Sequence, residues 1–92
     1  MKAVLDGQAI TYGTGGGTLQ ANRENLVFVH GAGFDHAVWT PMTRYFARHG
    51  LNVVAPDLPG HGGSDGPACR SIEAMSDVLS GLLDFLNLSQ AT

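Results

Sequence analysis

The run Leu26-Val27-Phe28-Val29-His30, closed at once by Gly31-Ala32-Gly33, constrains the fold more than any other stretch of the chain. A continuous apolar run of strand length has no alternate face to offer to water, so it predicts a strand covered on both sides, as in a parallel sheet. A parallel neighbour needs a crossover, and the following residues supply one. Thr40-Pro41 opens a helix, with Thr as N-cap and Pro at the first helical position, where its missing N–H costs nothing. Met42, Tyr45, Phe46 and His49 recur at helical spacing and predict the buried side, with Arg44 and Arg48 toward water. His49 lies in the last turn, where it favours the helix dipole, and Gly50 ends the helix. Asn52-Val53-Val54-Ala55-Pro56 then reads as a second buried strand, parallel to the first and reached by a right-handed crossover.

The flanks extend this unit. Ala3 to Leu5 and Gln8 to Tyr12 are short extended runs joined by Asp6-Gly7, a hairpin dipeptide, and predict an antiparallel ribbon. Gly13 to Thr18 is glycine-rich and resembles phosphate-binding loops in composition only, because the Lys that meets phosphates is missing; it reads as a connector. Polar residues from Gln20 to Asn25 follow it. Beyond the second strand, Asp57 to Arg70 forms a long loop containing Gly60, Gly62, Gly63 and Gly66. Ser71 caps a last helix whose apolar stripe is Ile72, Met75, Leu79, Leu82, Leu83 and Leu86, with Glu73, Ser76, Asp77, Ser80 and Asp84 on the other side. Asn87 to Thr92 leads toward another strand, expected beside Leu26 to His30. The fold class is therefore α/β: a mostly parallel sheet with an antiparallel amino-terminal ribbon. At 92 residues the chain builds a modest core, and each uncovered face weighs heavily at that size.

Charge narrows the partners. Five Lys and Arg against eight Asp and Glu give a formal net charge of −3, which leaves no basic surface for phosphate backbones and argues against nucleic acid. No stretch approaches the roughly 18 apolar residues of a membrane helix, and the first apolar run is too short for a signal-peptide core, so no membrane and a cytoplasmic location are expected. The single Cys69 cannot form an internal disulfide.

A buried strand that stops at closely spaced glycines leaves backbone N–H groups at the carboxyl edge of the sheet, where α/β proteins bind ligands. Such donors serve either a dinucleotide pyrophosphate or the oxyanion of acyl transfer. A dinucleotide fingerprint needs glycine at three positions; Gly31 and Gly33 fill two, and His36 stands at the third, although Asp57 imitates the ribose-binding acid.

His30-Gly31-Ala32-Gly33, Trp39 before the first helix, and Val53-Val54-Ala55-Pro56-Asp57-Leu58-Pro59-Gly60-His61-Gly62-Gly63-Ser64 together resemble the α/β-hydrolases. The resemblance spans essentially the whole chain and matches the family's amino-terminal portion, so residues 1–92 are expected to be the first part of a single hydrolase domain that requires the rest of the fold or a partner chain. It implies a cofactor-free, serine-type hydrolase of ester-like or related bonds in a small-molecule substrate. The backbone N–H of Ala32 is then one oxyanion donor, Gly31 and Gly33 shape its turn, and Gly31, Gly33, Phe34 and Trp39 are the candidate binding residues. Gly62-Gly63-Ser64-Asp65-Gly66 has the letters of the family's nucleophile turn, G-x-S-x-G, but no strand enters directly at Ser64 and no helix leaves it. All four histidines also precede Ser64, whereas the family's base follows its serine. Nucleophile, acid and base are thus expected to be absent and the chain alone inactive, the alternative being a non-catalytic remnant or binding module.

The remaining polar residues carry plainer expectations. His30 reads as scaffold beneath the turn, His36 as a solvated loop histidine, His61 as a brace of the strand ends, and Asp57 as a loop-organising acceptor. Ser64 reads as a loop hydroxyl bonded to nearby backbone, and Trp39 as packing at the pocket wall before substrate contact. His36, Asp57 and His61 match no metal-ligand spacing, so no metal is assigned.

Overall fold

The computed structural model describes all 92 residues. Strand β1 (Lys2–Leu5) and strand β2 (Gln8–Gly13) form the expected antiparallel hairpin, with Lys2 opposite Thr11 and Leu5 opposite Gln8. Asp6 and Gly7 turn it with φ of 49° and 81°, the left-handed pair that matches strand twist. Strand β3 (Asn25–Val27) leads through the glycine turn to a short 3-10 helix, His36–Trp39, and then to helix α1 (Thr40–Arg48). Strand β4 (Asn52–Pro56) and helix α2 (Ile72–Phe85) complete the elements.

The sheet order is β1-β2-β4-β3. β3 pairs with β4 in parallel, Leu26 opposite Val53, and β2 pairs with β4 antiparallel, Tyr12 opposite Pro56. The central place of β4 explains its burial along every residue. β3 is shorter and only half-buried, and Val29 is exposed, so the expectation of a strand from Leu26 to His30 covered on both sides holds for β4 and not for β3. Thr92 lies beside the free edge of β3: its N–H donates to Asn25 O at 3.0 Å, and Val27 N–H donates to Thr92 O at 2.8 Å. That is the alternation of a parallel ladder, on the side where the sequence placed the next strand.

The core gathers Ala3, Tyr12, Val54, Leu82 and Leu88, with Leu5, Leu19, Val27, Leu83 and Leu86 packed around it. α2 supplies Leu82 from the predicted stripe, and Ser71 caps it, its Oγ accepting from Ala74 N–H at 3.0 Å. Ile72, assigned to the same stripe, is 75% exposed in the first turn of α2. α1 departs further. Its buried residue is Thr43, with Phe46 and Ala47 half-buried, while Met42, Tyr45 and His49 face out. The predicted stripe followed hydropathy, whereas the inward side of α1 is centred on Thr43 and keeps only Phe46 of that stripe. Trp39 occupies the N-cap position without a side-chain bond, so Thr40 is a helical residue and not the cap.

Asn52, nearly fully buried at the start of β4, carries a polar link that its sequence position does not advertise. Its Nδ2 donates to Gln20 O at 2.6 Å and Asn25 Oδ1 at 2.7 Å, and its Oδ1 accepts from Gln20 N–H at 2.8 Å. A buried amide this well satisfied fixes the polar segment 20–25 to the sheet.

Candidate functional site

β3 and β4 run in parallel, so their carboxyl ends deliver the glycine turn and the loop after Pro56 to the same edge. The turn is held from below by His30, 4% exposed. Its Nδ1 lies 2.7 Å from Gly31 O, and its Nε2 accepts from Leu58 N–H at 3.0 Å, which sets the proton on Nδ1. The scaffold reading of His30 fits this geometry. Gly31 O also accepts from Phe34 N–H at 3.1 Å, closing the turn, and Gly33 sits at φ 83°, a conformation side chains resist. Within that turn Ala32 is exposed and its N–H donates to no protein atom.

The second tie is Asp57, 1% exposed at the end of β4. Oδ1 accepts from His36 N–H and from the His36 ring Nδ1, each at 2.7 Å, and Oδ2 accepts from Gly63 N–H at 2.9 Å. Burial pushes its carboxyl up, but the donated bonds from Gly63 and His36 outweigh burial and hold it below the usual carboxylate range. Asp57 is the loop organiser expected of it. His36 corrects its expectation: it is a half-buried partner of that carboxylate and not a solvated loop side chain. The missed signal was Asp35, whose Oδ1 accepts from Ala37 N–H at 2.9 Å and caps the 3-10 helix that carries His36 inward.

Ser64 completes the loop. Its Oγ donates to Asp57 O at 2.6 Å and accepts from Thr11 N–H at 2.9 Å, so the hydroxyl is buried and used on both sides, as befits a structural serine. His61 Nδ1 lies 3.1 Å from Pro59 O, and its ring stands 5.0 Å from that of His30. Asp35, His36 and Asp57 bring ligand-type atoms within 4.8 Å of one another, but both Asp57 oxygens already accept N–H groups, and His61 lies outside the group.

Between the turn and the loop opens a cleft of about 540 Å³ lined by Gly33, Phe34, Asp35, Val38, Gly60, His61 and Gly62. Phe34 and Val38 are exposed on one wall and give the cleft apolar surface, while Ala32 is not among its lining residues. Gly33 and Phe34 of the candidate binding residues line it; Gly31 shapes the turn, and Trp39 stands apart, its ring 5.2 Å from Phe28 and its indole N–H buried without an acceptor. The arrangement has exposed, unpartnered N–H groups at Gly31, Ala32 and Gly33, an apolar wall, and no serine, acid and histidine in catalytic order. No helix of the structure is long and apolar enough to cross a membrane.

Known proteins resemble this chain in sequence and in fold. Protein ABHD8 of Bos taurus is 50% identical over 42 residues, covering 46% of this chain and 10% of that protein. The pimeloyl-[acyl-carrier protein] methyl ester esterase of Aromatoleum aromaticum is 47% identical over 60 residues, covering 63% of this chain and 22% of the esterase. The crystal structure of the enol-lactonase from Burkholderia xenovorans LB400 superposes with a TM-score of 0.86 at 26% identity, covering all of this chain and 35% of the lactonase. The chain thus spans no more than about a third of the length of these relatives. The sequence profile of the alpha/beta hydrolase family matches residues 26–90, the span that holds the turn, the cleft and the His30 and Asp57 ties, and the chain belongs to that family.

Proposed function

We propose that this chain supplies the oxyanion turn of a serine-type hydrolase acting on ester-like bonds of a small molecule, without metal or organic cofactor. The observation that carries the reading is the free Ala32 N–H, exposed in a turn tied on one side by His30 and on the other by Asp57. A donor fixed before the reaction needs no reorganisation as the carbonyl oxygen becomes an oxyanion. The names of two relatives, a methyl ester esterase and an enol-lactonase, support acyl–oxygen cleavage as the reaction class. Gly33 and Phe34 then border the acyl group, and Trp39, packed on Phe28 apart from the cleft, does not touch it. The nucleophile, acid and base come from residues outside this chain, either the rest of the fold or a partner chain.

Two measurements test the reading. The chain alone, incubated with an activated aryl ester, turns over no faster than buffer, because a donor without nucleophile and base cannot form an acyl-enzyme; turnover that disappears in Ser64→Ala would overturn the assignment of Ser64 as structural. In a protein that joins this turn to a serine elbow, Ala32→Pro deletes the N–H and lowers kcat about 100- to 1,000-fold, while Ala32→Ser retains it. A proline variant with an undistorted turn and full turnover removes Ala32 from the mechanism.

A further inference from the structure

The glycine-rich loop after β2 takes no part in the site above, yet it meets α1 in a second concave feature. Gly15, Gly16, Gly17, Arg44, Ala47 and Arg48 line a cavity of about 380 Å³. The loop is a closed turn: Gly17 N–H donates to Thr14 O at 3.2 Å, and Thr14 Oγ1 donates to Gly17 O at 2.8 Å. Gly15 and Gly16 are its central residues, with φ of 66° and 84°, and neither N–H has a partner in the fold. Gly15 is pinned as well, since a Cβ there would stand 2.3 Å from Thr43 O on α1. The turn is therefore fixed with its two free N–H groups at the tip.

α1 brings the charge that the loop itself lacks. Arg44 and Arg48 are four residues apart and so share a face of the helix, and both border the cavity. Neither is neutralised: no Asp or Glu lines the cavity, and the ion pair of this fold is His36 with Asp57. Two of the chain's five basic residues thus stand beside two unpartnered backbone donors in a protein whose net charge is −3. Guanidinium forks and backbone N–H groups together match the tetrahedral oxygens of a phosphoryl group. Carboxylates use one fork in a plane; a phosphoryl group presents oxygens to both arginines and to the turn.

We propose that this cavity binds a phosphate-type oxyanion, as inorganic phosphate or as the phosphoryl group of a small monoester. The site does not depend on the hydrolase reading. Arg48 also stands in the last turn of α1, where it offsets the negative end of the helix, so part of its charge is already engaged and weak binding is expected.

The test is an amide and arginine Nε NMR titration of the ¹⁵N-labelled chain with inorganic phosphate at constant ionic strength, repeated with glycerol 3-phosphate and with sodium chloride. The expected result is saturable shifts at Gly15, Gly16, Arg44 and Arg48, none with chloride, and a loss of affinity of about tenfold or more in R44Q/R48Q. R44K, which keeps charge and loses the fork, falls between. Both arginines are exposed, so the Gln variants retain the β4 amide pattern, which the same spectra verify. Tighter binding of the monoester assigns an organic phosphate, and equal binding assigns the free anion. Shifts that chloride reproduces, that centre on Arg23 or Arg70, or that persist in R44Q/R48Q overturn the proposal.

Discussion

The two glycine-rich loops of this chain are alike in sequence and unlike in construction. The loop after β4 opens with buried residues, Asp57, Leu58 and Pro59, and is bolted to its surroundings by side-chain and backbone bonds: Asp57 to His36 and Gly63, Ser64 to Thr11, and Asp65 to Ala9 in both directions at 2.8 and 2.9 Å. The loop after β2 has no such acceptors and keeps its shape through one closed turn and the close approach of Gly15 to α1. Glycine content alone therefore says nothing about rigidity. What separates the loops is whether a buried acceptor collects the N–H groups that glycine leaves free.

The comparison breaks most sharply at Asp57. Asp57→Ala strands two backbone N–H groups and the His36 ring, and is expected to lower stability by about 3 kcal/mol or more, a large share of a small domain's total, as circular dichroism melts would show. Because its carboxyl titrates below the ordinary range in the folded chain, its contribution is complete at neutral pH and is lost as pH falls through that lowered value. Asp57→Asn should flatten this acid limb of the stability curve; an unchanged limb would mean that other carboxylates set it.

The other loop yields less. Gly15→Ala combines a positive φ with a Cβ driven into Thr43 O, and about 2 kcal/mol of destabilisation is expected in denaturant titrations. If Gly15→Ala proves as damaging as Asp57→Ala, steric fit and not acceptor supply is what distinguishes the loops. The smallest effect belongs to Ser64→Ala, which leaves Thr11 N–H and Asp57 C=O without their hydroxyl: about 1 kcal/mol, or a drop in Tm of about 4–8 °C.

What was legible in the sequence was what local chemistry decides. The Asp6-Gly7 hairpin, the Ser71 cap and the apolar run of β4 are each determined by a few neighbouring residues and formed as expected. The family motifs around His30 and Asp57 likewise placed the turn and its brace. What was illegible depended on partners far along the chain. His36 meets Asp57 21 residues away, and Asn52 reaches Gln20 32 residues away; the Asp35 cap marks the turn that carries His36, but no neighbouring residue names either distant partner. The buried side of α1 is illegible for a related reason: Met42 and Tyr45 are the larger side chains yet stand exposed, while Thr43 is the one buried against the fold, which local hydropathy does not decide.

The bonding of His30 has a consequence for reactivity. An electrophile such as diethyl pyrocarbonate attacks the lone pair of a neutral imidazole. In His30 that lone pair is on Nε2, buried and occupied by Leu58 N–H, while the other nitrogen holds its proton toward Gly31 O. The imidazole directly beneath the glycine turn is thus chemically silent in the folded chain and becomes a nucleophile only when β3 parts from the loop after β4. Carbethoxylation of His30 therefore counts openings of that edge, against the exposed His49 as the internal measure of reagent.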